Sequence, residues 1–182
     1  MNSKSRTKYT ILGMLTISPM SGYEIKQAIQ RSTAFFWSES EGQIYPALAQ
    51  CVEKGWATVQ EEASKISTRA KKTYKITNAG KKELTTWLSK KVQPILLRNE
   101  LLLKLFFGKN VEDQENVHHL KAHEKEIKDY LNTFLILRDN LKIEHKSSPH
   151  LKYWLITLDH GIKMSKAELS WCQDTLKILG DK

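Results

Sequence analysis

The C-terminal stretch imposes the hardest constraint on the fold. Leu151, Leu155, Leu158, Ile162, Ser165, Leu169, Cys172, Leu176 and Leu179 are spaced four and three residues apart without a break. That alternation is an a/d seam of about four heptads on one helix, with one polar interruption at Ser165. A seam of that length has to be buried against a partner of similar length. The preceding stretch, from about Val111 to Lys146, can supply one, because Leu120, Ile127, Phe134 and Leu141 recur every seven residues. Ser147-Ser148-Pro149 separates the two. The preceding helix can fold back as an antiparallel hairpin, and a second copy of the chain can also supply the partner. An amphipathic hairpin is hard to keep soluble alone, which favours a twofold homodimer built mainly from this half.

The chain has 182 residues, 40% apolar with five Trp, enough for one large domain or two small ones with packed cores. No run approaches about 18 apolar residues, so neither a membrane span nor a membrane partner is expected. The basic start, MNSKSRTKY, has no apolar segment or cleavage site after it and is not a secretory signal. Cys51 and Cys172 fall on different predicted helices without metal-type spacing, which points to reduced thiols in a cytoplasm. The net charge of +9 is uneven. Residues 1–90 hold 14 Lys and Arg against 7 Asp and Glu, whereas residues 91–182 hold 15 against 13. A polyanion partner for the N-terminal half fits that distribution, although charge for solubility alone would look similar.

Within that basic half lies SESEGQIYPALAQCVEKG, residues 38–55. Ile44, Ala47, Leu48, Cys51 and Val52 fall on one face of a helix. Pro46 is tolerated only in a first turn, so the helix is expected to begin near Gly42. Ser40 and Gln43 have capping-box spacing, and Gly55 is a natural stop. A helix whose first turn offers an amide, a phenol and a bare glycine backbone suits a recognition helix facing bases and phosphates. An ordinary amphipathic surface helix would look the same on this stretch alone.

Upstream, Lys4, Arg6 and Lys8 precede the apolar run Ile11, Leu12, Met14, Leu15 and Ile17, a first helix behind a basic arm. The arm either touches phosphates or is a solvated terminus. Ser21 and Glu24 form a second capping box, and Tyr23, Ile25, Ala28 and Ile29 give the second helix its apolar face. Ala34-Phe35-Phe36-Trp37 is an aromatic connection expected in the core. After Gly55 the period shortens to about two. Residues 56–62 and 74–77 read as strands around a polar loop carrying Lys65, Arg69, Lys71 and Lys72. A basic hairpin directly after a recognition helix is a wing that reaches phosphates or a minor groove. Thr77 caps a fourth helix with Leu84, Trp87 and Leu88 on its apolar face. Val92 to Pro94 marks the boundary between residues 1–92, a winged-helix DNA-binding domain, and residues 93–182, a helical dimerisation and effector domain. The nearly all-apolar Glu100–Phe107 stretch, ending at Gly108, is expected to be buried between them.

These stretches resemble the PadR family of bacterial transcriptional regulators, named for phenolic acid decarboxylase regulation. The matching segments are ILGML from Ile11, PMSGYEI from Pro19, FWS from Phe36, GQIYPAL from Gly42, EKG from Glu53, KTYKITNAG from Lys72 and ELLLKLFFG from Glu100. The last, with the long helices after it, looks like the subfamily with a large C-terminal domain, the virulence gene activator type. The resemblance implies a mainly α fold with a small β wing: an N-terminal winged helix-turn-helix followed by a long-helix hairpin for dimerisation. It places Ser21, Tyr23 and the Gly42–Tyr45 turn near double-stranded DNA, beside the wing. Two departures stand out. Ile66-Ser-Thr-Arg-Ala-Lys-Lys replaces a Gly-Arg-Pro wing element, and Cys51-Val52 replaces Arg-Leu in the recognition helix.

The resulting expectation is a dimeric regulator, usually a repressor in this family, whose recognition helices enter successive major grooves of a pseudo-palindromic operator. Gln43 would read adenine, Tyr45 would hold a phosphate or pack on a thymine methyl, and the wing cations would add sequence-independent affinity. Tyr153, Trp154, Trp171 and Phe134 are candidates to stack a small aromatic effector, or else plain core. A winged helix turned to protein binding is the alternative. An enzyme is not expected, since no nucleophile–base pair, glycine-rich phosphate loop or carboxylate pair stands out. His119 and His123 are four apart, as two zinc ligands can be, but there is no adjacent Glu and no third ligand, and both should face solvent. No cofactor or metal is implied.

Overall fold

The structure is a computed structural model that describes residues 6–62, 71–94 and 98–180. The expected wing cations Lys65 and Arg69 lie outside the described residues. The chain divides into two compact units, Met1–Pro94 and Ile95–Lys182.

The first unit runs α1 (Thr7–Ile17), α2 (Gly22–Ser32), α3 (Glu41–Glu53), β1 (Ala57–Glu62), β2 (Lys71–Ile76) and α4 (Asn78–Leu88). Helix α1 is its hub. Ile11, Leu12 and Leu15 are buried against Ile25 and Ile29 of α2 and Ile44, Leu48 and Cys51 of α3. Burial pushes the Cys51 thiol up to about 11, so it stays protonated and inert. Helix α3 starts one residue before Gly42, which makes Pro46 its sixth residue, past the first turn where it was expected; the helix runs on through it without the N–H that would bond the Gly42 carbonyl. Gly55 takes φ +67°, a conformation that favours glycine, and turns the chain into β1.

The strands pair antiparallel with Ala57 opposite Ile76 and Glu61 opposite Lys72. Met20 and Tyr74 exchange two backbone hydrogen bonds, at 3.1 and 2.9 Å, which pins the hairpin to the α1–α2 turn. The Thr77 hydroxyl accepts from the Gly80 amide and caps α4, as its position suggests. Helix α4 is tied to α1 by Lys8 Nζ and the Tyr9 hydroxyl, each 3.1 Å from Glu83 Oε1, and by Tyr9 stacked on Trp87 at 4.5 Å. Three helices followed by a β-hairpin make this unit a winged helix-turn-helix.

Three apolar assignments change. Tyr23 is 60% exposed rather than in the core face of α2, and its hydroxyl accepts from Gln27 one turn along the helix. Phe36 is 55% exposed, with only Phe35 and Trp37 partly buried in that connection. Leu88 is exposed at the last turn of α4, where no described element of this unit covers it.

The second unit comprises α5 (Glu100–Phe106), a 3-10 turn (Gly108–Asn110), α6 (Asp113–Glu144) and α7 (Leu151–Ile178). Helices α6 and α7 form an antiparallel hairpin of about 48 and 42 Å at 1.5 Å per residue. Leu120 near the start of α6 packs with Cys172 and Leu176 near the end of α7. The His145 ring, just past α6, meets Trp154 at the start of α7. Leu158, Ile162, Ser165, Cys172 and Leu176 of the seam are all buried. Asn116, also buried, donates from Nδ2 to the Gly108 carbonyl at 3.1 Å and so satisfies the turn before α6.

Two expectations fail here. Helix α5 has no buried residue and Phe106 is 81% exposed. Its apolar residues surround the axis, so packing Leu101 and Leu105 against the α6–α7 cluster leaves the other sides open. His119 and His123 are partly buried rather than solvent-facing. His123 Nε2 lies 3.0 Å from Glu168 Oε1 across the hairpin, and His119 lines a cavity of about 390 Å³ with Leu103, Phe107 and Val111.

Helices α2 and α3 meet at Gly22, where a Cβ would lie 2.6 Å from Tyr45 Cε1 and 3.3 Å from Leu48 Cδ1. Gly22→Ala is therefore expected to destabilise the protein by about 1–3 kcal/mol through overpacking. In a Tyr45→Ala background the same change should cost much less. Chemical denaturation of the four proteins of this double-mutant cycle checks it, and additive effects would contradict the contact.

Candidate nucleic-acid interface

The exposed end of the first unit is built by two helix starts. At α2, Ser21 donates its hydroxyl to Glu24 Oε2 at 2.8 Å and accepts from the Glu24 amide at 3.3 Å. The Ser21 amide donates to the same carboxylate at 2.7 Å. At α3, Gln43 Oε1 accepts from the Ser40 amide and hydroxyl, both at 2.9 Å. Both capping boxes predicted from spacing are formed.

These caps assign roles to the predicted contacts. The Ser21 hydroxyl is engaged at both its donor and its acceptor, so it shapes the start of α2. Gln43 turns its amide oxygen back on its own cap and keeps its Nε2 donors for a ligand. Reading adenine bidentately would require it to leave the cap. Gly42 is exposed, and Tyr45, 49% exposed, stands over Gly22 beside the start of α2. The geometry thus brings Tyr45 together with the helix start that carries Ser21 and Tyr23.

The Lys26 ammonium bonds the Glu41 carboxylate, joining α2 to the first turn of α3. Glu41 holds Lys26 above the ordinary lysine range. Glu39, at the end of the α2–α3 connection, accepts hydrogen bonds from Thr7, Thr10 and Trp37. No local spacing reveals either link. Apart from the Trp37 contact, each joins residues far apart in sequence, and only the pair of acids around Ser40 hints at them.

On the hairpin, Lys72 pairs with Glu61 across the strands at 2.9 Å, both side chains more than half exposed. That pair is open to exchange with a phosphate. Lys71 lies on β2 in register with Glu62.

The aromatic residues of the second unit are dispersed. Phe134 is buried with its ring 3.1 Å from where a Cβ on Gly161 would stand, and it stacks on Tyr130. Trp154 lies between the His145 and His150 rings, at 5.4 and 5.6 Å. Tyr153 is exposed, and Trp171 packs on the Leu120–Cys172 cluster. Trp154 and Trp171 are 17 residues apart on α7. That is about 25 Å at 1.5 Å per residue, so one small molecule cannot touch both in the same chain. Among the described residues, no group of three or more His, Cys, Asp or Glu is placed to hold a metal ion. No described helix is long and apolar enough to cross a membrane.

The chain is similar to known proteins over nearly its whole length. It is 29% identical over 180 residues to the negative transcriptional regulator PadR of Bacillus subtilis (strain 168), covering 94% of this chain and 96% of that protein. The crystal structure of Bacillus subtilis PadR in complex with operator DNA matches with a TM-score of 0.82 at 28% identity, over 94% of this chain and 98% of the other. The structure of Bacillus subtilis PadR in complex with p-coumaric acid matches with a TM-score of 0.77 at 27% identity, over 97% of each chain. Residues 11–86 match the transcriptional regulator PadR-like family, and residues 97–180 match the virulence activator alpha C-terminal family. The chain thus carries a PadR-like transcriptional regulator domain over residues 11–86 and a virulence activator alpha C-terminal domain over residues 97–180.

Proposed function

We propose that the protein is a homodimeric, DNA-binding transcriptional repressor of the cytoplasm, without catalytic activity, acting on a pseudo-palindromic operator. The observation that carries this reading is the likeness of the whole chain, at a TM-score of 0.82, to Bacillus subtilis PadR in complex with operator DNA. The chain's own chemistry supports it. A helix N-terminus with Gly42, Gln43 and Tyr45 stands beside a hairpin in the more basic half of the sequence. The interaction-module alternative gives no account of that charge.

Dimerisation follows from α7. Tyr153, Ile156, His160, Met164 and Ala167 repeat every three or four residues. They are offset by two residues, about 200°, from the seam that α6 buries. Tyr153, Ile156 and Met164 are exposed in the single chain. A second copy with the same stripe would cover them, holding two α3 helices for grooves about 34–36 Å apart.

The repressor is released by a small aromatic acid, a reading supported by the relative in complex with p-coumaric acid. Tyr153, Trp154 and Trp171 are the rings offered to it, shared between two chains where one cannot bring them together, while Phe134 stays buried against Gly161.

Two measurements check these roles. Duplex DNA upstream of the protein's own gene should bind with an affinity that falls steeply with salt. Arg69→Ala/Lys71→Ala should flatten the log–log slope by about 1.8, at roughly 0.9 for each phosphate no longer neutralised. An unchanged slope would remove the wing from the interface. Titration with p-coumaric acid should change Trp emission saturably and weaken duplex binding. An unresponsive protein across a panel of aromatic acids would rule out that effector class.

A further inference from the structure

We infer that Glu39 is a positioning residue that fixes the orientation of α3 on α1, and thereby the selectivity of the DNA-reading face. The inference rests on the DNA-binding reading above. Glu39 immediately precedes Ser40, the N-cap of α3. Its Oε2 accepts from the Thr7 hydroxyl at 2.9 Å. Its Oε1 accepts from the Trp37 indole at 2.7 Å and the Thr10 hydroxyl at 3.3 Å. Thr7 is 1% exposed, so its hydroxyl depends on a protein acceptor rather than on water. The Arg6 guanidinium lies 5.8 Å over the Trp37 ring, so the start of α1 touches this connection a second time. Helix α1 has neither an acidic residue in its first turn nor a side-chain cap. Glu39 brings a carboxylate to that positive end from another element.

The core alone cannot perform this task. Ile44, Leu48 and Cys51 seat the body of α3 on α1 through apolar contacts, which are not directional. Such contacts resist separation but tolerate small rotations about the contact. Ile44 is the first of these contacts, and Gly42 and Gln43 stand at its N-terminal limit, where a rotation displaces them most. Hydrogen bonds are directional; those from Thr7 and Thr10 tie the Glu39 carboxylate to α1, and the Trp37 indole holds that carboxylate in place, which removes that freedom. The Lys26–Glu41 bond ties the same end to α2, so two acids flanking Ser40 anchor it to two different helices. Base readout depends on side chains held at fixed distances from base edges, whereas non-specific phosphate contacts do not. Loss of Glu39 should therefore lower selectivity rather than general affinity.

The test uses the duplex that the full-length wild-type protein enriches from a random pool, and a scrambled duplex of equal length at the same salt. Glu39→Ala should lose at least tenfold of the selected-over-scrambled affinity ratio. Its affinity for the scrambled duplex should be unchanged or higher, because a negative charge has gone. Glu39→Gln, which keeps one acceptor oxygen, should fall between. Thr7→Val/Thr10→Val, which alters no charge, should also lower the ratio. In the free protein the Trp37 indole N–H resonance should move upfield in Glu39→Ala as it loses its acceptor.

A folded Glu39→Ala protein with the full ratio and an unmoved indole resonance overturns the assignment. Should that variant fail to fold, full selectivity in Thr7→Val/Thr10→Val overturns it instead. A wild-type protein that enriches no duplex at all overturns the DNA-binding reading itself, which is a separate failure.

Discussion

The structure depends on the burial of an apolar stripe that runs the whole length of α7. Leu158, Ile162, Ser165, Cys172 and Leu176 are covered by α6, which folds back because its own heptad positions match in length and direction. The resulting hairpin has little freedom. Its open end is held by Leu120 packed on Cys172 and Leu176, and its closed end by the His145 and His150 rings around Trp154. One face of α7 is thereby finished within the chain. The opposite face, with Ile156 and Met164, is not, and an exposed apolar stripe on a long helix calls for a second such helix. Dimerisation in this account is a consequence of helix geometry before it is a regulatory device.

The first unit solves a different problem, which is to present one helix end at a fixed angle. Burying Ile11, Leu12, Ile44 and Leu48 supplies the adhesion. The angle comes from polar detail. It lies in two capping boxes, a glycine that lets Tyr45 lie against α2, and carboxylates on either side of Ser40 that reach α1 and α2. Apolar contacts hold the helices together, and directional ones decide where Gly42, Gln43 and Tyr45 point.

Much of this was legible in the sequence, and the exceptions share a cause. Period, caps and stops are local, so α3, the Thr77 cap, the turn at Gly55 and the α6–α7 seam could all be read from spacing. What spacing misses is how many neighbours an apolar side chain finds. Phe106, Phe36 and Tyr23 are apolar enough for a core, yet each sits where the remaining elements cover only one side of its helix or turn. Long-range polar pairs are equally silent. Nothing near Glu39 announces Thr7, and nothing near His123 announces Glu168. The side chains of the candidate contacts Ser21 and Gln43 are engaged in the caps they form, which residue type alone does not reveal.

Sedimentation of the wild type beside Ile156→Glu/Met164→Glu decides whether two copies join through the outer stripe of α7. Both side chains are exposed in the single chain, so the double substitution should leave helix content intact. The wild type is expected to sediment at twice the 21.1 kDa chain mass and the variant at the mass of one chain. A wild type that remains a single chain at micromolar concentration, or a variant that still pairs, would contradict the account.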